Sequence, residues 1–155
     1  MSLFSITAFS YQKMSNMEDE FLNHGPSIKR LHEEYKKHGT LCIGFDFDGT
    51  VHDFHKKGVI YPKMIQLLRD LKSIGCTLIC WTAYKEHTYV QGYLIANDIP
   101  YDGINTDGIK LPWETRKPFF NALLDDRAGL IQVYYELDTL VQNVKAEKHV
   151  RPDSC

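Results

Sequence analysis

The chain has no long apolar run. Nothing in it approaches the ~18 consecutive apolar residues of a membrane-spanning helix, and its first ten residues lack a basic start and an apolar core, so neither a membrane segment nor a signal peptide is expected. It also lacks an excess of one charge: 18 Lys+Arg against 20 Asp+Glu give a net charge of -2. That excludes a general polyanion-binding surface and leaves any nucleic-acid contact local. Cysteine is scarce, at positions 42, 76, 80 and 155 only. Cys42, Cys76 and Cys80 lie in or beside apolar runs, where thiols behave as small hydrophobes. No second pair completes a zinc-ligand spacing. Reduced thiols and a cytoplasmic location are the expectation. Repeats and low-complexity tracts are absent too. What remains is 155 residues, 43% hydrophobic and 25% charged, the composition of one globular domain with a core of its own.

The chain then divides into residues 1–40, a helical N-terminal extension; 41–147, the core; and 148–155, a frayed tail. Within the extension, Ser15 and Glu18 form a capping-box spacing for a short helix over 15–22. Ser27 can cap a second helix carrying Ile28, Leu31 and Tyr35 on one face, with Gly39 as its stop. In the core, residues 41–45 read as a buried strand, and Val51 can pair with 59–61 in a small hairpin. Pro62 opens an amphipathic helix with Ile65, Leu68, Leu71 and Ile74 on one face, ended by Gly75. A second strand over 76–81 precedes a helix over about 85–96. A short third strand within 99–104, a loop over 105–118 and a fourth apolar run over 119–124 follow. A last strand over 131–135 and a helix over 137–146 complete the pattern. Alternating strands and helices predict an α/β fold, a three-layer Rossmann-like parallel sheet with helices on both faces.

In such sheets ligands sit beyond the carboxyl ends of the strands, and polar residues end three apolar runs here. Asp46 and Asp48 follow the first strand, two residues apart and so on one side. Thr82 ends the second, and Asp125 and Asp126 end the fourth. Four carboxylates in one crevice need a neutralising partner, and an oxygen-only ligand set suits Mg2+ better than zinc. Carboxylate nucleophile, hard cation and hydroxyl donor together are the parts of phosphoryl transfer.

Phe-Asp-Phe-Asp-Gly-Thr at 45–50 resembles the first motif of the haloacid dehalogenase (HAD) superfamily, D-x-D-G-T after a hydrophobic strand. Thr82, closing Leu-Ile-Cys-Trp-Thr, is similar to its second motif, and Leu-Leu-Asp-Asp at 123–126 to its acidic fourth. The third is a lysine, for which Lys117 is the first candidate and Lys110 the second. Lys117 precedes Asp125 by a whole strand, so it reaches the site only from a loop folded back over the strand ends. The resemblance implies that Asp46 is the nucleophile, phosphorylated in turn, and that Asp48 is the general acid and then the base. It gives phosphate binding to Thr82, Lys117 and the backbone after Asp46, including Gly49. Mg2+ would be held by Asp46, Asp125 and Asp126, with Asp48 contributing through its backbone carbonyl.

The stretches between motifs are each used by a loop, a helix and a strand, so no cap domain fits. An open site suits a large substrate, or a small one enclosed by loops or by a second subunit of a homo-oligomer. The small capless phosphatase type implies a nucleotide or a nucleic-acid phosphate end as substrate, with no membrane partner. Lys56, Lys57, Arg116 and Arg127 lie near the strand-end loops, and Phe54, Trp81, Tyr84 and Trp113 offer stacking surfaces. His52, His55 and His87 read as surface residues, one of which could touch substrate from the flap. The rival is a phosphoacceptor signalling module or a non-catalytic binding module on the same fold. Asp48 argues against it, because a phosphoacceptor needs no acid two residues after the nucleophile.

Overall fold

The computed structural model describes residues 25–150. The helix expected over 15–22 lies outside the described residues, as does the end of the expected tail. Helix α1 (Pro26–His38) starts earlier than a Ser27 cap predicts. Gly25 is its N-cap and Pro26 fills the first turn, where proline's missing N–H is no loss. The Ser27 hydroxyl donates instead to Glu136. Gly39 ends the helix in the left-handed region at φ 70°, its N–H donating to the Tyr35 carbonyl at 2.7 Å.

Strands β1 (Cys42–Phe45), β2 (Thr77–Cys80), β3 (Gly103–Ile104) and β4 (Ala122–Leu124) form one parallel sheet in the order β3-β2-β1-β4. Cys42 pairs with Thr77 on one side of β1, and Ile43 with Ala122 on the other. Helix α2 (Pro62–Ser73) connects β1 to β2, α3 (His87–Ala96) connects β2 to β3, and α4 (Leu130–Val150) follows β4. The parallel α/β architecture is the expected one, and no cap domain is evident among the described residues. The strand order reverses between β1 and β4, the place where such sheets open a crevice.

Side-chain alternation sorts the two faces of the sheet. Ile43, Phe45, Leu78, Cys80 and Leu124 enter one core with Leu31 of α1, Leu68 of α2, Leu94 of α3 and Leu137 of α4. All four described helices therefore cover that face, as right-handed crossovers on one side of β1 require for α2 and α3. The opposite face, carrying Cys42, Gly44 and Ile79, is layered by residues 105–121. A Cβ on Gly44 would lie 2.7 Å from the Phe120 ring, and one on Gly108 would lie 2.4 Å from the Cys42 sulfur. Among the described residues this second layer is loop, not helix. Cys42, Cys76 and Cys80 are buried and free, their thiols pushed up to about 11, 11 and 12 chiefly by burial. They are packing groups.

Two expected elements are not formed. The hairpin between Val51 and 59–61 is replaced by a loop, because the Asp53 carboxylate accepts the N–H groups of Gly58 and Val59 at 2.7 and 3.1 Å and so competes with strand pairing. The strand over 131–135 is the first part of α4. Leu130, Val133, Tyr134, Leu137, Leu140, Val141 and Val144 face the core at helical spacing, while Ile131 and Tyr135 are 73% and 61% exposed. Apolar β-formers at 131–135 thus lie on two sides of a helix. No helix among the described residues is long and apolar enough to cross a membrane.

Candidate active site

The Asp46 N–H donates to the Leu124 carbonyl at 2.8 Å and the Trp81 N–H to the Phe45 carbonyl at 2.8 Å. The sheet ladder thus runs to the residue that bears the first carboxylate. Phe47 then turns into the core, fully buried, which leaves Asp46 and Asp48 on the other side of the chain. The turn is tight: the Val51 and His52 N–H groups both donate to the Phe47 carbonyl at 3.1 and 2.9 Å, and the Gly49 N–H to the His52 carbonyl at 2.9 Å. Gly49 has φ 84°, and a Cβ there would lie 3.0 Å from Asp126 Oδ2. Its amide is spent inside the turn, so what Gly49 gives the site is room beside Asp126, in place of the expected phosphate-binding N–H.

Asp46, Asp48, Trp81, Thr82, Asp125, Asp126 and Arg127 line a crevice of ≈ 410 Å³. Asp46, Asp125 and Asp126 each bring one carboxylate oxygen within 4.8 Å of the others. Burial pushes the Asp46 carboxyl up to about 6, against its hydrogen bond from the Phe47 N–H and with the help of the Asp125, Asp126 and Asp48 charges. A carboxylate that resists ionisation in a nest of carboxylates is one that a cation would relieve. Three converging hard oxygens with no sulfur or imidazole among them fit Mg2+ by the chemistry of the donor set. The Asp48 side chain is outside that trio. Its Oδ1 is 2.7 Å from Nδ1 of His52, so its carboxylate is tied to a histidine.

Thr82 is buried, and its peptide is held on both sides by Asn105. The Thr82 N–H donates to Asn105 Oδ1 at 2.8 Å, and Asn105 Nδ2 donates to the Thr82 carbonyl at 2.7 Å. Thr82 Oγ1 accepts the Tyr84 N–H at 3.0 Å, which leaves its own O–H to donate. Thr50, also buried, reaches Asp46 Oδ2 at 3.5 Å, at the limit for a hydrogen bond. The Arg127 N–H donates to Asp125 Oδ1 at 2.8 Å and fixes that carboxylate.

Asp46, Asp48, Thr82, Asp125 and Asp126 are therefore brought together, and the two candidate lysines are not. Lys110 and Lys117 line a different hollow, of ≈ 720 Å³, with Trp113 and Arg116. It shares no lining residue with the acidic crevice, whose basic member is Arg127. Of the other residues noted in the sequence, Phe54 and Trp113 are exposed side chains. Sequence reasoning missed His52 as a partner of Asp48, and Asn105 altogether. The four-residue spacing of Asp48 and His52 was the available signal for the first.

No protein-family model matches the chain, and no curated protein matches it. Two solved structures match the chain. A conserved protein from Bacteroides thetaiotaomicron superposes with a TM-score of 0.52 at 20% identity, over 70% of this chain and 92% of that one. A protein from Vibrio cholerae gives a TM-score of 0.38 at 22% identity, over 67% of this chain and 97% of that one. The likeness to the first is one of fold.

Proposed function

We propose that this chain is a Mg2+-dependent phosphohydrolase of the HAD type, working through a phosphorylated aspartate. The observation that carries the reading is the convergence of the Asp46, Asp125 and Asp126 carboxylates at the ends of two adjacent parallel strands, with Asp48 on the same crevice wall. Asp46, Asp125 and Asp126 would hold the cation, joined by the Asp48 backbone carbonyl. When bound, it offsets the charge of the phosphate and lets one anion approach another.

The reaction then uses this chain's own groups. An Asp46 oxygen forms a bond to phosphorus as the ester P–O bond breaks, and the departing oxygen takes the proton of Asp48. Water next attacks the same phosphorus and gives a proton to Asp48, the bond from phosphorus to the Asp46 oxygen breaks, and inorganic phosphate leaves. The Thr82 hydroxyl donates to a phosphate oxygen, in a position fixed by Asn105. Arg127 adds positive charge, and Lys117 joins it if the 107–118 segment folds over the strand ends. The uncapped crevice with Trp81 on its wall favours a nucleotide or a nucleic-acid phosphate end as substrate.

The test is phosphate release, with and without Mg2+, from p-nitrophenyl phosphate, nucleoside monophosphates, sugar phosphates and 3'-phosphorylated oligonucleotides. Turnover by the wild type, abolished by chelation and by Asp46→Asn, is the expected result. Mg2+ binding without turnover across the panel would replace the enzyme reading with that of a binding or phosphoacceptor module.

A further inference from the structure

His52 sits beside Asp48 in a setting made to hold an imidazole still. Its ring stacks on Phe47, with centroids 4.5 Å apart and planes 10° from parallel. Tyr93 packs against it edge-on at 4.8 Å, Tyr89 at 5.8 Å and Tyr84 at 6.4 Å. Both ring nitrogens are engaged: Nδ1 with Asp48 Oδ1 at 2.7 Å, and Nε2 with the Tyr89 hydroxyl at 3.1 Å. The His52 side chain is 12% exposed and that of Asp48 31%. A surface histidine has neither an aromatic box nor two fixed partners.

We infer that His52 is the positioning residue of the general acid, and that Tyr89 and the rings around it exist to fix the imidazole. The inference rests on the phosphohydrolase reading. In the neutral ring with its proton on Nδ1, Asp48 Oδ1 accepts from Nδ1 whether Oδ2 carries a proton or not, and Nε2 takes the Tyr89 O–H. With Oδ1 committed to His52, Oδ2 is the oxygen that carries the proton to the departing group. His52 thereby selects the rotamer of Asp48 and the oxygen that does the work. It touches neither substrate nor phosphorus.

Leaving-group chemistry separates this role from simple packing. A p-nitrophenolate departs without much help from an acid, whereas an alkoxide needs the proton. The quantity to compare is kcat/KM, which ends at departure of the leaving group and excludes the hydrolytic half-reaction. His52→Phe keeps a ring in the aromatic box and removes both nitrogens. His52→Asn loses the ring and keeps an N–H donor near the position of Nδ1. On an alkyl phosphate that the wild type hydrolyses, His52→Phe is expected to lower kcat/KM ~10²-fold, with less than about a fivefold loss on p-nitrophenyl phosphate. His52→Asn recovers most of the alkyl-phosphate activity, and Tyr89→Phe shows a smaller loss with the same substrate bias. Thermal melting of each variant checks that the fold survives. Equal losses on both substrates, or an active His52→Phe beside a damaged His52→Asn, would mean that His52 only packs, and would overturn the inference while leaving the phosphohydrolase standing. A wild type inert on both substrates would overturn the two together.

Discussion

Asn105 controls more of the site than its neutral side chain advertises. It holds the N–H and the carbonyl of Thr82 from a left-handed backbone at φ 51°, a conformation asparagine tolerates better than most residues. Asn105→Ala leaves two polar groups at Thr82 without protein partners and adds backbone strain. It should cost ~1–3 kcal/mol of stability by urea titration and raise KM for any phosphate substrate. Asp46 has the opposite character, since its charge is a burden. Its carboxyl is raised from 3.8 to about 6, so across that window the folded protein keeps a proton that the unfolded chain releases. Without cation, stability therefore falls as pH rises through the window and remains lower above it. For a partly exposed group, screening reduces the effect to about 1 kcal/mol. Metal-free Asp46→Asn should melt ~3 °C above wild type near neutral pH, and the difference should vanish in acid below both values. Mg2+ should raise the melting temperature of the wild type more than that of the variant. The carboxylates themselves were legible in the sequence, because each pair directly follows an apolar run and interrupts it. Asn105 was not, because its meaning depends on a two-residue strand that brings it beside Thr82.

At the scale of elements, the junction of β1 and β4 decides whether the acids meet. Gly44 lies at that junction, and a Cβ there would be 2.7 Å from the Phe120 ring and 2.9 Å from Leu123 Cδ1. Gly44→Ala should therefore cost ~1–3 kcal/mol by overpacking and weaken Mg2+ binding, measured by calorimetry, since the strands that separate carry Asp46 and Asp125. Gly92→Ala is the contrasting case, in the middle of α3 with nothing within 4 Å of the new Cβ. There the helix should gain roughly 0.5–1 kcal/mol. Element types were readable where the apolar period was unambiguous, as in α2, whose Leu67, Leu68 and Leu71 are buried. They were misread where β-formers alternated at strand spacing within a helix, as at Ile131, Val133 and Tyr135. They were misread again where a side chain, Asp53, took the N–H groups that a hairpin would have used.

Over the whole molecule, α4 ties the first described helix, α1, to the core and to α2. Leu137, Leu140 and Val141 are fully buried, Glu136 meets Ser27 of α1, and Lys145 pairs with Asp70 of α2 at 2.6 Å. Leu137→Ala should cost ~2–5 kcal/mol, seen as a lower urea midpoint with an unchanged slope. The strand order β3-β2-β1-β4 also bears on the order of events during synthesis. β1 and β4 are neighbours in the sheet but lie near opposite ends of the described chain. A nascent chain therefore carries Asp46 and Asp48 out of the ribosome long before Asp125 and Asp126 exist. On the proposed reading, a single acidic turn is all that a cation would meet until the last strand docks, and products truncated before β4 would not capture it. Metal capture would then mark a sheet whose last strand has docked.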